Sequence, residues 1–129
     1  DTHTEHYLDT QEGKLLPVKH CIKGTEGWQL IPELKAFQEQ YRCPVFEKNT
    51  FGSTALAQFL LEEDQKRRLD SVELIGLCTD ICVISNALLI KAFLPELPVS
   101  VDASCCAGVS PEKHEAALRT MESCQILLS

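Results

Sequence analysis

The chain has 129 residues, the length of one ordinary domain, and 44% of them are hydrophobic, which is enough for a core and argues against disorder. Its formal net charge is −7 and its lysines and arginines form no basic cluster, which argues against a nucleic-acid partner. No apolar run has the length of a membrane span and no signal-peptide pattern is visible, so we expect no contact with membranes.

The chain contains seven cysteines, an odd number scattered along its length. A disulfide scaffold of a secreted protein more often has an even number at close spacing. We therefore predict free thiols in a reducing compartment, which indicates a cytoplasmic protein.

Residues 1–28 are polar, interrupted by glycines and without a clear hydrophobic period. This pattern predicts a long loop, and loops of this length in a compact domain are usually functional or disordered. The chain begins Asp1-Thr2-His3, without methionine. We interpret it as an N-terminally truncated copy of one domain.

Helix and strand patterns alternate from residue 29 onward. The first elements predicted are a helix at 29–40, a short strand at 44–47, a helix at 53–68 with Ser53 as its N-cap, and a strand at 72–77. Together they form the start of a repeated βα pattern.

The second half of the chain continues this alternation. It predicts a strongly apolar helix at 81–93, a strand at 98–101, a helix from Ser110 to about residue 122, and a strand at 125–128. Ser110 has the character of an N-cap, and the proline after it suits a first helical position.

This alternation predicts a single α/β domain, with a doubly wound, mostly parallel sheet and helices on both faces. The apolar runs 74–75 and 126–128 suit strands that are buried on both sides. Ligand sites in such sheets lie at the carboxyl ends of the strands. Lys48 and Cys82 both follow a predicted strand, so both belong to that edge.

Cys82 lies in the first turn of a predicted helix, just after a strand. The helix dipole and the N–H groups at that end favour a thiolate over a thiol. The same N–H groups can stabilise an oxyanion. The sequence therefore predicts a nucleophile at Cys82, with an inert, buried thiol as the alternative.

Lys48 and Asp80 are polar residues near the predicted strand ends. A lysine there can lower the pKa of a cysteine or stabilise a developing oxyanion, although an isolated lysine is more often solvated. Asp80 is expected to cap the following helix, or else to orient a neighbouring group.

Asp1, His3, His6 and His20 form a candidate metal site in the predicted loop. A carboxylate with imidazoles suits zinc, manganese or iron. The alternative is that these histidines are merely exposed.

Four ordered segments resemble the isochorismatase-like cysteine hydrolases, a family that includes the nicotinamidases. Residues 75–83 resemble its G-x-x-T-D-x-C-V signature, and residues 45–48 resemble the strand that carries its active-site lysine. Residues 1–3 are similar to its D-x-H metal motif, and residues 20–27 resemble its H-C-x-x-G-T-x-G segment.

The resemblance implies a Cys–Lys–Asp triad with Cys82 as nucleophile, Lys48 as its charged neighbour, and the backbone N–H groups of Cys78 and Cys82 as oxyanion hole. It places a cis peptide near Leu77-Cys78. It implies a divalent metal at Asp1, His3 and His20, most often zinc, with manganese or iron as alternatives, and no organic cofactor.

The chain departs from the family pattern at several points. The strand that carries the catalytic aspartate and the first helix are missing, so we expect this chain alone to expose a hydrophobic sheet edge and to be inactive. His6 is displaced from the family's second metal histidine. Trp28 is the only tryptophan, and it lies later than the substrate-stacking tryptophan of several nicotinamidases.

The resemblance implies an amidohydrolase of a small amide, with nicotinamide as the first substrate and with a thioester on Cys82. It also implies a homo-oligomer. The alternatives are a homologue of different specificity, including an isochorismate-type substrate, a non-catalytic binding module, and a redox protein that uses Cys78 and Cys82.

Overall fold

The computed structural model describes all residues, 1–129, and divides into two compact units. The first unit is Asp1–Thr50 and the second is Phe51–Ser129. Each unit is described by itself. No helix in either unit has both the length and the apolar character required to cross a bilayer.

The first unit is built from short helices. They are a 3₁₀ turn at Tyr7–Asp9, α1 at Gln11–Leu15, a second 3₁₀ turn at Glu26–Trp28, and α2 at Pro32–Tyr41. The prediction of an unstructured loop over residues 1–28 therefore missed three short helical segments, because none is long enough to show a hydrophobic period.

Local polar groups begin α1 and anchor it. The Thr10 side chain accepts a hydrogen bond from the Gly13 N–H at 3.0 Å, and so caps the helix. A Cβ atom at Gly13 would lie only 2.1 Å from the Tyr7 carbonyl oxygen, so this close approach requires glycine. The buried Tyr7 donates its hydroxyl hydrogen to the Leu16 carbonyl at 2.9 Å.

The predictions for residues 29–47 need correction. The helix begins at Pro32 rather than at residue 29, and its apolar residues Leu34 and Phe37 are exposed. Residues 44–47 form no strand, so the prediction of a strand there is wrong. Pro44 has no N–H to donate to a ladder, and apolar character alone cannot form a strand without a paired neighbour.

The second unit has a regular α/β architecture. Its helices are α3 (Thr54–Arg67), α4 (Ile84–Phe93) and α5 (Pro111–Ser123), and its strands are β1 (Val72–Leu77), β2 (Val99–Ala107) and β3 (Leu127–Leu128). A π-helical turn, Thr79–Val83, joins β1 to α4. The sheet is parallel with the strand order β1-β2-β3, which confirms the predicted α/β class.

The predicted caps of two helices are confirmed. The Ser53 side chain accepts a hydrogen bond from the Leu56 N–H at 3.2 Å at the start of α3. The Ser110 side chain accepts one from the Lys113 N–H at 3.3 Å at the start of α5. These bonds satisfy N–H groups that have no partner within the helix.

The strand β2 is longer than predicted and contains an irregularity. Leu74 of β1 pairs with Val101, but Gly76 pairs with Cys106, so extra residues of β2 bulge between these two pairs. Bulges of this kind bend a strand and often lie next to functional sites. Gly76 has φ of +121°, a conformation that favours glycine.

The core of the second unit lies on one face of the sheet. It comprises Val83, Ala87, Ile90, Val99, Val101, Leu118, Met121 and Ile126. Helices α4 and α5 supply the side chains that cover this face. The opposite face is open, because Ile75 and Leu127 are each 61% exposed. Leu128 is exposed as well, so the prediction that runs 74–75 and 126–128 are buried on both sides is wrong at Ile75, Leu127 and Leu128.

Candidate active site and metal centre

A cluster of possible metal ligands lies in the first unit. One ligand atom from each of Asp1, His3 and His20 lies within 4.8 Å of the other two. A short backbone bridge brings these distant residues together. The His3 N–H donates to the Cys21 carbonyl, and the Lys23 N–H donates to the His3 carbonyl, both at 2.9 Å.

The backbone orients the ring of His20. Its Nδ1 lies 2.8 Å from the Val18 carbonyl oxygen. A carbonyl only accepts hydrogen bonds, so Nδ1 carries the proton and Nε2 keeps a free electron pair. Nε2 points toward Glu12, whose Oε1 is 3.7 Å away. This arrangement suits a metal-ligating histidine, whose second nitrogen is typically held by a carbonyl.

His3 is the buried member of the cluster, with 6% of its surface exposed. Its Nε2 is buried and has no hydrogen-bond partner. Burial lowers the pKa of His3 below 6.5, and the positive charge of Lys48 acts in the same direction, whereas Glu12 opposes it. A neutral imidazole with an unsatisfied buried nitrogen fits a divalent cation, because a metal would replace the missing partner.

Glu12 is a fourth candidate ligand, and sequence reasoning missed it. Its Oε1 lies 3.7 Å from Nε2 of His3 and 3.7 Å from Nε2 of His20. Glu12 is placed there by α1, whose existence the polar sequence did not reveal. A signal that could have found it is the cap residue Thr10, since a helix starting there would fix the side chains that follow it.

His6 lies outside this cluster. Its side chain is 79% exposed, and its Nδ1 is 3.7 Å from a carboxylate oxygen of Asp9. This position agrees with its displacement from the family's metal motif.

Lys48 lies beside the metal cluster, within the same unit. Its Nζ donates to Asp1 Oδ1 at 2.9 Å and to the Thr50 carbonyl at 3.0 Å. Its side chain is only 15% exposed, which does not fit a freely solvated lysine. The other carboxylate oxygen of Asp1, Oδ2, faces His3 Nε2 at 4.0 Å. Asp1 therefore links the lysine to the candidate ligands.

Cys82 lies on the π-helical turn that follows β1 in the second unit. The Cys78 carbonyl fixes this turn, because it accepts hydrogen bonds from the N–H groups of Ile81 and Val83, both at 3.1 Å. The peptide bond Leu77-Cys78 is cis, as the resemblance implied. Cys82 is half-buried, and none of the seven cysteines forms a disulfide bond.

Asn86 holds the Cys82 turn from one side, and sequence reasoning did not identify it. Its Nδ2 donates to the Cys82 carbonyl at 2.8 Å and to the Phe51 carbonyl at 3.1 Å. Its Oδ1 accepts from the Ser53 N–H at 2.9 Å. A buried amide with these partners is satisfied and gives the turn a fixed conformation.

Asp80 does not cap the helix that follows it. Its Oδ1 accepts a hydrogen bond from the Val109 N–H at 2.9 Å, and the turn has no side-chain cap. The capping interpretation is therefore wrong, and the alternative that Asp80 orients a neighbouring segment fits the geometry.

The second unit has a parallel α/β fold in which a half-buried cysteine lies on the turn between a strand and a helix. Comparison with known proteins identifies the family that has this fold. Residues 2–129 match the isochorismatase domain family. The chain therefore belongs to the isochorismatase family. This match confirms the family resemblance drawn from the four sequence segments.

Individual relatives agree with this assignment. The chain is 30% identical over 122 residues to the isochorismatase family protein PncA of Bacillus subtilis (strain 168), and this region covers 92% of the chain and 64% of the relative. The crystal structure of nicotinamidase/pyrazinamidase PncA from Bacillus subtilis superposes with a TM-score of 0.77 at 27% identity, over 100% of this chain and 71% of that one.

A zinc complex is also among the structural neighbours. The pyrazinamidase of Pyrococcus horikoshii in complex with zinc has a TM-score of 0.72 at 23% identity, and the match covers 100% of this chain and 71% of that one. At this identity the likeness shows the fold.

Proposed function

We propose that the protein is a cysteine-dependent amidohydrolase that converts a small amide, with nicotinamide as first candidate, into the carboxylic acid and ammonia. The observation that carries the proposal is the position of Cys82, on a fixed turn between a parallel strand and a helix. The N–H groups and the dipole at the start of a helix favour a thiolate in general, which supports a nucleophile at this position. The nicotinamidase neighbours support the choice of amide.

The proposed reaction has two steps at Cys82. The thiol gives up its proton and its sulfur attacks the amide carbonyl carbon. The C–N bond then breaks, the nitrogen takes up the proton, and ammonia leaves while a thioester forms. Water attacks the thioester carbonyl in the second step, which releases the carboxylic acid and restores the thiol.

The oxyanion of each tetrahedral intermediate is assigned to the backbone N–H groups of Cys78 and Cys82. Support comes from the rigidity of this segment, since the Cys78 carbonyl accepts two hydrogen bonds and the Cys82 carbonyl accepts one from Asn86. Donors that are held in place before the reaction stabilise a developing charge without reorganisation. Lys48 receives the second catalytic role, through the resemblance of residues 45–48 to the family's lysine segment.

Asp1, His3 and His20 would hold a divalent metal, zinc first, and Glu12 would complete the set. Support comes from the spacing of the ligand atoms and from the buried Nε2 of His3. The metal would supply an electrophilic position for a ring nitrogen of the substrate. The chain's own residues fix the ligands, through the Val18 carbonyl at His20 and through Lys48 at Asp1.

The proposal also covers the location of the enzyme in the cell, its oligomeric state and its cofactor. We place it in the cytoplasm, in agreement with cysteines that form no disulfide bond, and expect a homo-oligomer that needs no organic cofactor.

A panel of small amides tests the proposed function. The complete protein is loaded with zinc, and ammonia release is measured for nicotinamide, pyrazinamide and benzamide, with isochorismate as the substrate of the alternative reaction. We expect turnover of the two amides with a ring nitrogen and much slower turnover of benzamide, because benzamide cannot reach a metal through its ring. Turnover of isochorismate with no ammonia from any amide would contradict the proposal.

A further inference from the structure

The start of α5 forms a hydrogen bond with the turn that carries Cys82. The hydroxyl of Thr79 and Nδ1 of His114 lie 2.8 Å apart, in a hydrogen bond whose donor depends on the histidine tautomer. Thr79 is fully buried and His114 is half-buried. The bond joins residues 35 positions apart, so it connects the turn to α5 rather than stabilising either one locally.

Two further observations show close contact between the Cys82 turn and the region at the start of α5. Asp80 Oδ1 accepts a hydrogen bond from the Val109 N–H at 2.9 Å. A Cβ atom at Gly108 would lie 2.9 Å from Asp80 Oδ1 and 2.9 Å from the His114 backbone nitrogen. The loop before α5 therefore fits against Asp80 and the start of α5 with no room for a side chain at position 108.

His114 itself is on a rigid element. It lies in the first turn of α5, where its N–H donates to the Ser110 carbonyl at 2.9 Å. The same helix inserts Leu118 and Met121 into the core of the second unit. Because α5 is fixed by its packing, the hydrogen bond to His114 holds the turn at Thr79 in a fixed position relative to this helix.

From these contacts we infer that His114 is a positioning residue for the oxyanion hole, acting through the Thr79 hydroxyl on the Cys78–Cys82 turn. The inference rests on the proposed function. Thr79 directly follows Cys78, and Cys82 is three residues farther on, so the buried hydroxyl is anchored between the two assigned N–H donors. Loss of the anchor lets these donors shift, and a shift of about 1 Å can lower a rate about a hundredfold.

The test compares substitutions that differ in where they place a polar atom. His114→Asn puts an amide close to the position of Nδ1, whereas His114→Gln puts it farther out. We expect the complete protein with His114→Asn to keep kcat within about threefold, and His114→Gln to lose about tenfold or more with little change in KM. Glu115→Ala, an exposed neighbour on α5, serves as the control. Equal kcat values for the Asn and Gln variants overturn the inference.

A second readout separates positioning of the oxyanion site from general damage. An aldehyde analogue of the substrate, pyridine-3-carboxaldehyde, adds the Cys82 sulfur to its carbonyl carbon and the thiol proton to its oxygen, which then occupies the oxyanion site. Iodoacetamide alkylates the same sulfur by displacing iodide, without an oxyanion. His114→Gln should weaken aldehyde inhibition about as much as it lowers kcat, and leave the alkylation rate of Cys82 within about twofold. An equal fall in both overturns the inference.

A double-mutant cycle tests whether Thr79 and His114 act through the same hydrogen bond. Thr79→Val removes the other end of the hydrogen bond, and the double variant with His114→Gln should be no slower than the slower single variant. Multiplied effects would mean that the two residues act independently. Failure of the proposed function is recognised separately, because the unchanged protein would then release no ammonia from any amide, or Cys82→Ala would keep the full rate of ammonia release.

Discussion

The two units of this molecule organise their chemistry in different ways. In the first unit, Tyr7 is the one hydrophobic side chain in the core, and the buried His3 faces two carboxylates and a second histidine. In the second unit, an apolar core supports the turn that carries Cys82. The first site is therefore a cluster of imidazole and carboxylate groups for which we propose a cation, and the second is a backbone conformation held by packing.

Because the two sites are held together differently, each should respond to a different perturbation. Removal of a metal should act on the first unit, where an unpartnered buried nitrogen has no other compensation. Removal of apolar volume should act on the second unit. Substitutions in each unit can test this separation.

The largest effect is expected at the nucleophile. Cys82→Ala in the complete protein should lower kcat for nicotinamide by about 10⁴-fold or more, because the covalent route is lost while the fold remains. Ammonia release and thermal unfolding measure the two properties. Cys124→Ala, at an exposed cysteine, is the matched control and should keep full activity. Substantial amidase activity without Cys82 would rule out the nucleophile assignment.

The metal ligands come next. His3→Ala and His20→Ala should each weaken zinc binding by at least about 100-fold, since each removes a ligand rather than an outer-shell partner. Competition with a chelating dye measures the affinity. His6→Ala removes an exposed histidine of the same segment and should leave the affinity unchanged. Weakening by His6→Ala equal to that by His3→Ala would show that the cluster is not the zinc site.

A core substitution should affect stability without affecting the metal. Met121→Ala empties a fully buried position beneath the sheet and should cost about 2–5 kcal/mol of unfolding free energy. Urea denaturation measures this loss, and zinc affinity measured on the folded variant should stay within about twofold. Leu127→Ala, on the open face, should cost far less. A large loss of zinc affinity in the Met121 variant would break the separation between the units.

The smallest effect is expected at Glu12. Glu12→Gln keeps the size of the side chain but removes its charge, and should weaken zinc binding by about tenfold. Glu5→Gln, an exposed carboxylate nearby in the chain, is the control. If the two variants bind zinc equally well, Glu12 is not a ligand and the set consists of Asp1, His3 and His20 alone.

The same contrast explains what the sequence could predict. In the second unit, hydrophobic runs and caps such as Ser53 and Ser110 predicted the helices and strands to within a few residues, because packing and local propensity agree there. The length of β2 was missed, because its continuation to Ala107 includes polar residues that a hydrophobic pattern does not mark.

In the first unit, motif spacing pointed to Asp1, His3 and His20, but not to Glu12. A metal motif records residue types at fixed offsets, whereas Glu12 reaches the cluster through a five-residue helix with no hydrophobic period. The sequence did not mark His114 for a similar reason, since its hydrogen bond to Thr79 depends on tertiary packing. Contacts between distant segments leave little trace in a single sequence.

Alkylation of Cys82 decides whether the sulfur of this residue attacks the substrate. The complete, zinc-loaded protein is treated with a substoichiometric amount of iodoacetamide, and modified cysteines are mapped by peptide mass spectrometry while ammonia release is followed. We expect loss of activity to follow modification of Cys82 in a one-to-one ratio, and nicotinamide to slow both. Full activity in protein alkylated at Cys82 would contradict it.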